Sequence, residues 1–91
     1  MSEPLFLPGQ VVFTPGALDF MDKNDVNFMN LLLRHLTGDW GDLDAADKKE
    51  NDFSVLNGYR ILSSYNVDGG KVWIITEADR SATTFLLPDE Y

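Results

Sequence analysis

The chain has 91 residues, 44% of them hydrophobic, with fifteen acids against seven bases and a formal charge of −8. That length holds one modest core, and the apolar content argues against wholesale disorder. No apolar run approaches the roughly 18 residues of a membrane helix. The lack of cysteine excludes disulfides and thiol chemistry, and a single histidine leaves no cluster for a metal, so neither metal nor cofactor is expected.

Met1-Ser2-Glu3-Pro4 has no basic stretch followed by an apolar one, so no secretory leader is expected. The negative charge opposes direct binding to DNA, RNA or anionic lipid. It fits a soluble cytoplasmic protein, either one that charge simply keeps in solution or one that meets a basic partner.

In chain order, residues 1–13 read as an arm broken by Pro4, Pro8 and Gly9, ending in an edge strand at Gln10-Val11-Val12-Phe13. Thr14-Pro15 is a helix start, and a short helix carries Ala17, Leu18, Phe20 and Met21 to about Lys23-Asn24. Asp25 is placed to cap a second helix. Its Val26, Met29, Leu32, Leu33 and Leu36 fall on one face, widened by Phe28 and Leu31, which predicts the most buried helix. Gly38 stands where a C-terminal cap belongs, after Arg34 and His35 in the last turn. Asp44 caps a third helix that ends at Asn57-Gly58 and offers a thin apolar face of Ala46, Phe53 and Leu56, with Val55 beside it.

From Tyr59 the period changes to two. Asp68-Gly69-Gly70 marks a hairpin between a strand near 59–66 and a strand at 71–76 that is apolar on both faces and therefore central. Glu77 to Ser81 connects to a last strand, Ala82 to Leu87, stopped by Pro88. The expected fold is α+β over 1–91, with a helical half at 14–57 packed on a three- to four-stranded antiparallel sheet from 58–91. Val72 and Ile74 share one sheet face, Trp73 and Ile75 the other. The second face needs the early strand, the arm or a second copy of the chain to cover it, so a homodimer is one expectation.

No phosphate loop, dinucleotide fingerprint, nucleophile elbow or zinc motif is present. Four constellations remain. His35 beside Asp39 and Asp42 is either a base with an orienting carboxylate or a helix-end partner of the dipole. Trp40, between Gly38-Asp39 and Gly41-Asp42, is a plug over the helix end or a partner anchor. In the Glu77–Ser81 loop, Asp79, Arg80 and Ser81 either hold the loop by their own hydrogen bonds or place Arg80 for an anion, with Arg60 joining it or pairing with Glu77 across the hairpin. Asp39, Asp42, Asp44, Asp47, Glu50 and Asp52, offset only by Lys48 and Lys49, form a solvated face or a row of carboxylates imitating phosphates.

Several runs carry a resemblance: Leu7-Pro8-Gly9-Gln10-Val11-Val12, Thr14-Pro15-Gly16-Ala17-Leu18, Arg34-His35, Gly38-Asp39-Trp40-Gly41-Asp42-Leu43, Gly58-Tyr59-Arg60-Ile61-Leu62-Ser63, Trp73 to Ser81, and Leu86 to Tyr91. Over nearly its whole length the chain resembles a family of small bacterial proteins of plasmids, integrative elements and phages, some labelled plasmid-related protein and some type I restriction subunit. The resemblance implies a mobile-element setting and brings no activity with it. Ninety-one residues without a glycine fingerprint leave no room for a methylation subunit. A second resemblance, to barnase-like ribonucleases, rests on Arg60-Ile61-Leu62 and on Thr76 to Phe85. It implies Arg60 and Arg80 on a phosphate and Glu77 as base. Arg80-Ser81 stands where that family has a late histidine, so His35 would enter from the helical half as the acid.

The expected function is a non-enzymatic protein that binds a protein partner through its acids, inhibiting or modulating a nucleic-acid-processing system such as restriction. The alternative is a ribonuclease using His35, Glu77, Arg60 and Arg80, with RNA as its substrate.

Overall fold

The structure, a computed structural model, describes residues 3–91. Met1 and Ser2, the start of the segment expected to lack a secretory leader, lie outside the described residues. The fold is α+β: strand β1 (Gln10–Phe13), helices α1 (Pro15–Lys23), α2 (Phe28–Leu36) and α3 (Ala45–Asn57), strands β2 (Ile61–Val67), β3 (Gly70–Thr76) and β4 (Ala82–Leu86), and a closing 3-10 turn, Pro88–Glu90.

The sheet order is β1-β4-β3-β2. The last three strands form the expected antiparallel meander, but the early strand corrects the expectation of a wholly antiparallel sheet. β1 runs parallel to β4, with Val11 opposite Thr83 and Phe13 opposite Phe85, so the sheet is mixed. The reason is topological. Three helices separate β1 from the meander, and a crossover of that length can return the chain in the parallel sense that a tight hairpin cannot.

Helix limits follow local chemistry. Thr14 caps α1 by accepting from the Ala17 amide at 3.1 Å, with Pro15 in the first turn. Asp25 does not cap α2. It sits at φ 54° and closes the turn after α1, its amide donating to the Asp22 carbonyl, while the Asn27 side chain accepts from the Met29 amide at 3.1 Å and caps α2. At the other end the Thr37 hydroxyl donates to the Leu33 carbonyl at 2.7 Å, and Gly38 follows at φ 88° as expected, its amide and that of Asp39 donating to the carbonyls of His35 and Arg34. Asp44 caps α3, and Gly58 ends it in the left-handed conformation.

The core joins Ala17 and Met21 of α1 and Leu31, Leu32 and Leu36 of α2 to Ile61, Tyr65, Val72, Ile74 and Phe85 on one sheet face, with Phe6 and Trp40 closing the end. On the other face Trp73 meets Tyr91 edge-on, with ring centroids 5.5 Å apart. Two apolar faces differ from expectation. Met29 and Leu33 of α2 face solvent, and the apolar residues of α3, Ala46, Phe53 and Leu56, are exposed while its buried positions are the polar Asn51 and Ser54.

That polarity has a use, because α3 and the turn before it close the free edge of β2. The Asn51 amide donates to the Leu62 carbonyl at 2.6 Å and accepts from the Leu62 amide at 3.3 Å. Ser64 bonds Trp40 and Asp42 through its own amide and carbonyl, and the Asp42 carboxylate takes the Asn66 amide at 2.7 Å. Gly41 bridges to Ser64 at φ 77°, where a Cβ would run into the Ser64 carbonyl and the Tyr65 ring. An edge satisfied in this way offers no template for pairing with another chain. Replacing Asn51 by Ala strips two backbone groups of their partners and should cost about 1–3 kcal/mol in urea unfolding. Asn57→Ala, at an exposed residue that bonds only its own helix, should leave the midpoint nearly unchanged.

Candidate functional site

The sequence candidates gather at one end of the molecule, where α2 stops, the Gly38–Leu43 turn crosses and the β3–β4 loop begins. His35 lies at the centre with no exposed surface. Its Nδ1 meets the Ser63 hydroxyl at 2.5 Å and its Nε2 the Thr76 hydroxyl at 2.8 Å. Thr76 in turn meets Thr83 at 2.8 Å, and Thr83 donates to the Pro8 carbonyl at 2.7 Å.

The direction of this relay follows from proton counting. A carbonyl only accepts, so the Thr83 proton is spent on Pro8. Thr76 must then donate to Thr83, which obliges His35 to donate from Nε2, and Nδ1 accepts from Ser63. The histidine is the neutral Nε2–H tautomer. Burial pushes its pKa down to about 3, helped by the Arg80 cation nearby. The Phe6 ring packs edge-on against the imidazole at 5.3 Å, and Trp40 does so at 5.9 Å.

Arg80 holds the next layer. It sits at φ 60°, and its guanidinium donates to the carbonyls of Tyr59 (2.7 Å), Glu77 (3.1 Å), Ala78 (3.4 Å) and Ser54 (3.0 Å) while lying over the Phe6 ring. The loop is held by its own hydrogen bonds: besides those of Arg80, Asp79 accepts from the Ser81 amide at 3.0 Å, and its bonds to Ser81 hold its carboxyl below the usual range. Glu77 is exposed. Arg60 reaches neither Glu77 nor Arg80. It donates to the Tyr91 hydroxyl and lies over that ring.

Trp40 is buried, and its Nε1 donates to Asp52 at 3.0 Å, so it is the plug over the helix end. Asp39 orients Arg34 and not His35. Two contacts join the pair, the shorter 2.7 Å, and the guanidinium holds the Asp39 carboxyl below its ordinary value. The Tyr65 hydroxyl donates to the Asp39 carbonyl at 2.7 Å, and burial raises its pKa. Asp42 is spent on Asn66 and Asp44 on the Asp47 amide, whereas Asp47 and Glu50 line a shallow depression of about 330 Å³ with Leu43, Asn51, Arg60 and Leu62.

Thus α2, the turn and the loop meet, but they meet as packed rings and satisfied polar groups. Sequence reasoning missed Phe6, Ser63, Thr83, Asn51 and Glu90. The Glu90 carboxylate accepts from Thr14 at 2.6 Å and from the Leu87 amide at 2.8 Å, tying the chain end to the start of α1. The legible signal was a hydroxyl at alternate strand positions on an apolar face: Ser63, Thr76 and Thr83 are polar where the period calls for core. No group of three His, Asp or Glu placed to hold a metal occurs among the described residues, and no helix among them is long and apolar enough to cross a membrane. No protein-family model, curated protein or solved structure matches the chain.

Two measurements follow. Between pH 7 and 5 the unfolded chain takes up a proton at its histidine that the folded one refuses, so stability falls as pH drops below about 6.5 toward 3. The fall should be about 2 kcal/mol between pH 7 and 5 by chemical denaturation, and His35→Gln, though weaker at pH 7, should lack that slope. Arg80→Lys keeps the charge but not the fork. It should cost about 2 kcal/mol, close to the loss in Arg80→Ala.

Proposed function

We propose that the chain is a non-enzymatic interaction protein whose acidic surface inhibits or modulates a nucleic-acid-processing protein, in the mobile-element, restriction-related setting that its resemblance implies. The observation that carries this function is the density of acids from Asp42 to Asp52, three of them held in place. Bonds from Asn66, from the Asp47 amide and from Trp40 hold Asp42, Asp44 and Asp52 in place, and Asp47 and Glu50 stand exposed between them. Carboxylates that are already ordered cost little further entropy when a partner binds.

From Asp44 to Asp52 the helix rises about 12 Å. One strand of a duplex carries about three to four phosphates over that length, and here four acids stand against Lys48 and Lys49. A basic cleft shaped for a nucleic-acid backbone is complementary to such a concentration of negative charge. The charge of −8 would also speed the encounter.

The alternative, a ribonuclease, needs an imidazole that reaches substrate. His35 is buried with both nitrogens bonded, which favours the binding function over catalysis.

The test uses Asp47→Lys with Glu50→Lys and leaves Asp44 in place as the cap of α3. Immobilised protein should retain a basic host or element-encoded protein at low salt, with release by added DNA or RNA. The double variant should lose it with only a small fall in melting temperature, the part owed to Asp47 in the first turn of α3. Undiminished retention by the variant, or no partner recovered at any salt, counts against the proposal. Cleavage of single-stranded RNA that Glu77→Gln abolishes would favour the ribonuclease instead.

A further inference from the structure

The acids on α3 are not the only ones set beside an unusual surface. Between α1 and the start of α2 lies a groove of about 260 Å³ lined by Phe13, Leu18, Met21, Val26 and Phe28, with Asp22 and Asp25 on its wall. Asp22 and Leu18 also border a second hollow on the outer side of α1, and Asp25 a third that ends at Asp68. The groove is therefore apolar within and acidic around. Asp19 is offset by Lys23, its ion-pair partner at 3.0 Å.

The apolar side chains here are unusually open. Leu18 is 56% exposed and Phe28 38%. Met29 and Leu33, one helical turn apart on α2, are 48% and 53% exposed. Leu18 and Phe28 line the groove itself, the Phe28 ring resting edge-on against Phe13 and Phe85, and Met29 and Leu33 add further apolar exposure on α2. Exposed contiguous apolar surface rimmed by charge marks an interaction site more often than chance. The volume is below the roughly 300 Å³ at which small-molecule and cofactor sites begin, and it suits a single anchoring side chain.

The rim decides what kind of partner fits. Asp22 and Asp25 beside an apolar slot repel a second copy of this chain, whose net charge is −8, and attract Lys or Arg. We propose that the α1–α2 groove docks a short basic amphipathic segment of another protein, one bulky apolar side chain seated against Leu18, Met21 and Phe28 and flanking cations on Asp22 and Asp25. This extends the proposed partner binding to a second surface, and it stands on the groove's own geometry.

Calorimetric titration with a synthetic peptide carrying one Phe flanked by Lys and Arg should give saturable binding. Changing that Phe to Ala, or the flanking cations to Glu, should weaken it at least about tenfold. In the protein, Leu18→Asp and the pair Asp22→Lys with Asp25→Asn should each do the same with little change in melting temperature, since these side chains are exposed and Asn tolerates the left-handed backbone at position 25. Asp47→Lys with Glu50→Lys should leave peptide binding unchanged.

Equal affinity for the Phe and Ala peptides would reduce the interaction to charge alone and overturn the proposal, as would loss of binding only in the α3 variant. Self-association in sedimentation equilibrium that Leu18→Asp abolishes would assign the groove to a second copy and overturn it as well. Peptide binding with no lysate partner on α3 would sink the proposed function while leaving the groove standing.

Discussion

A buried imidazole must have both nitrogens satisfied, and much of this molecule is arranged around that requirement. His35 on α2 reaches Ser63 on β2 and Thr76 on β3, and through Thr76 it reaches Thr83 on β4 and Pro8 of the arm. Helix, three strands and arm are joined by four hydrogen bonds with a single allowed direction. An apolar core of the same shape would already oppose a slip of one residue, because that would turn Ile61, Val72, Ile74 and Phe85 outward. The relay adds a finer constraint: a slip of two residues would keep each face and still part Ser63, Thr76 and Thr83 from their partners.

Arg80 does for the loops what His35 does for the strands. Its cation has no carboxylate partner among its contacts and is instead surrounded by four carbonyl oxygens, one of them from Ser54 near the end of α3. The fork collects the last turn of α3, the entry to β2 and the β3–β4 loop around one planar group, and Phe6 covers it. A lysine ammonium would face those divergent acceptors with a single point of attachment. On the same principle Asn51 serves the β2 edge, its two-ended amide matching the donor and acceptor of Leu62. Polar groups that looked like chemistry are thus spent on connection, and what is left outside is charge and apolar surface.

The outer surface has two different characters. Along the turn and α3 it is dense in acids, with Asp42, Asp44 and Asp52 held by backbone and indole donors and Asp47 and Glu50 exposed. At α1 and the start of α2 it is an apolar slot with acids at its rim. Both arise because helices in this chain are anchored unevenly. α2 buries Leu31, Leu32 and Leu36 and leaves Met29 and Leu33 outside, and α3 is fastened by Asn51 and Ser54 and so can turn Phe53 and Leu56 to water. Leu18, Met29, Leu33, Phe53 and Leu56 stay largely outside the core.

The sequence by itself determined the elements and their kinds. Thr14-Pro15, Asp44 and Gly58 act within one turn of themselves, and the period-two run with Asp68-Gly69-Gly70 specifies a hairpin locally, so these were legible. It also placed Val72 and Ile74 on one face and Trp73 on the other, because alternation needs no partner to be read. Tertiary structure alone decided which pairs meet. The cap of α2 moved from Asp25 to Asn27 once Asp25 was drawn into the turn closing α1. β1 found β4 in parallel across more than sixty residues, Arg60 went to Tyr91 in place of Glu77, and His35 went into the core. Those outcomes depend on contacts between segments distant in the chain, where desolvation is settled by what else arrives at the same place. A histidine, an arginine and a carboxylate read alike in a linear sequence whether they will face a substrate or one another; burial separates the two cases, and burial belongs to the assembled fold.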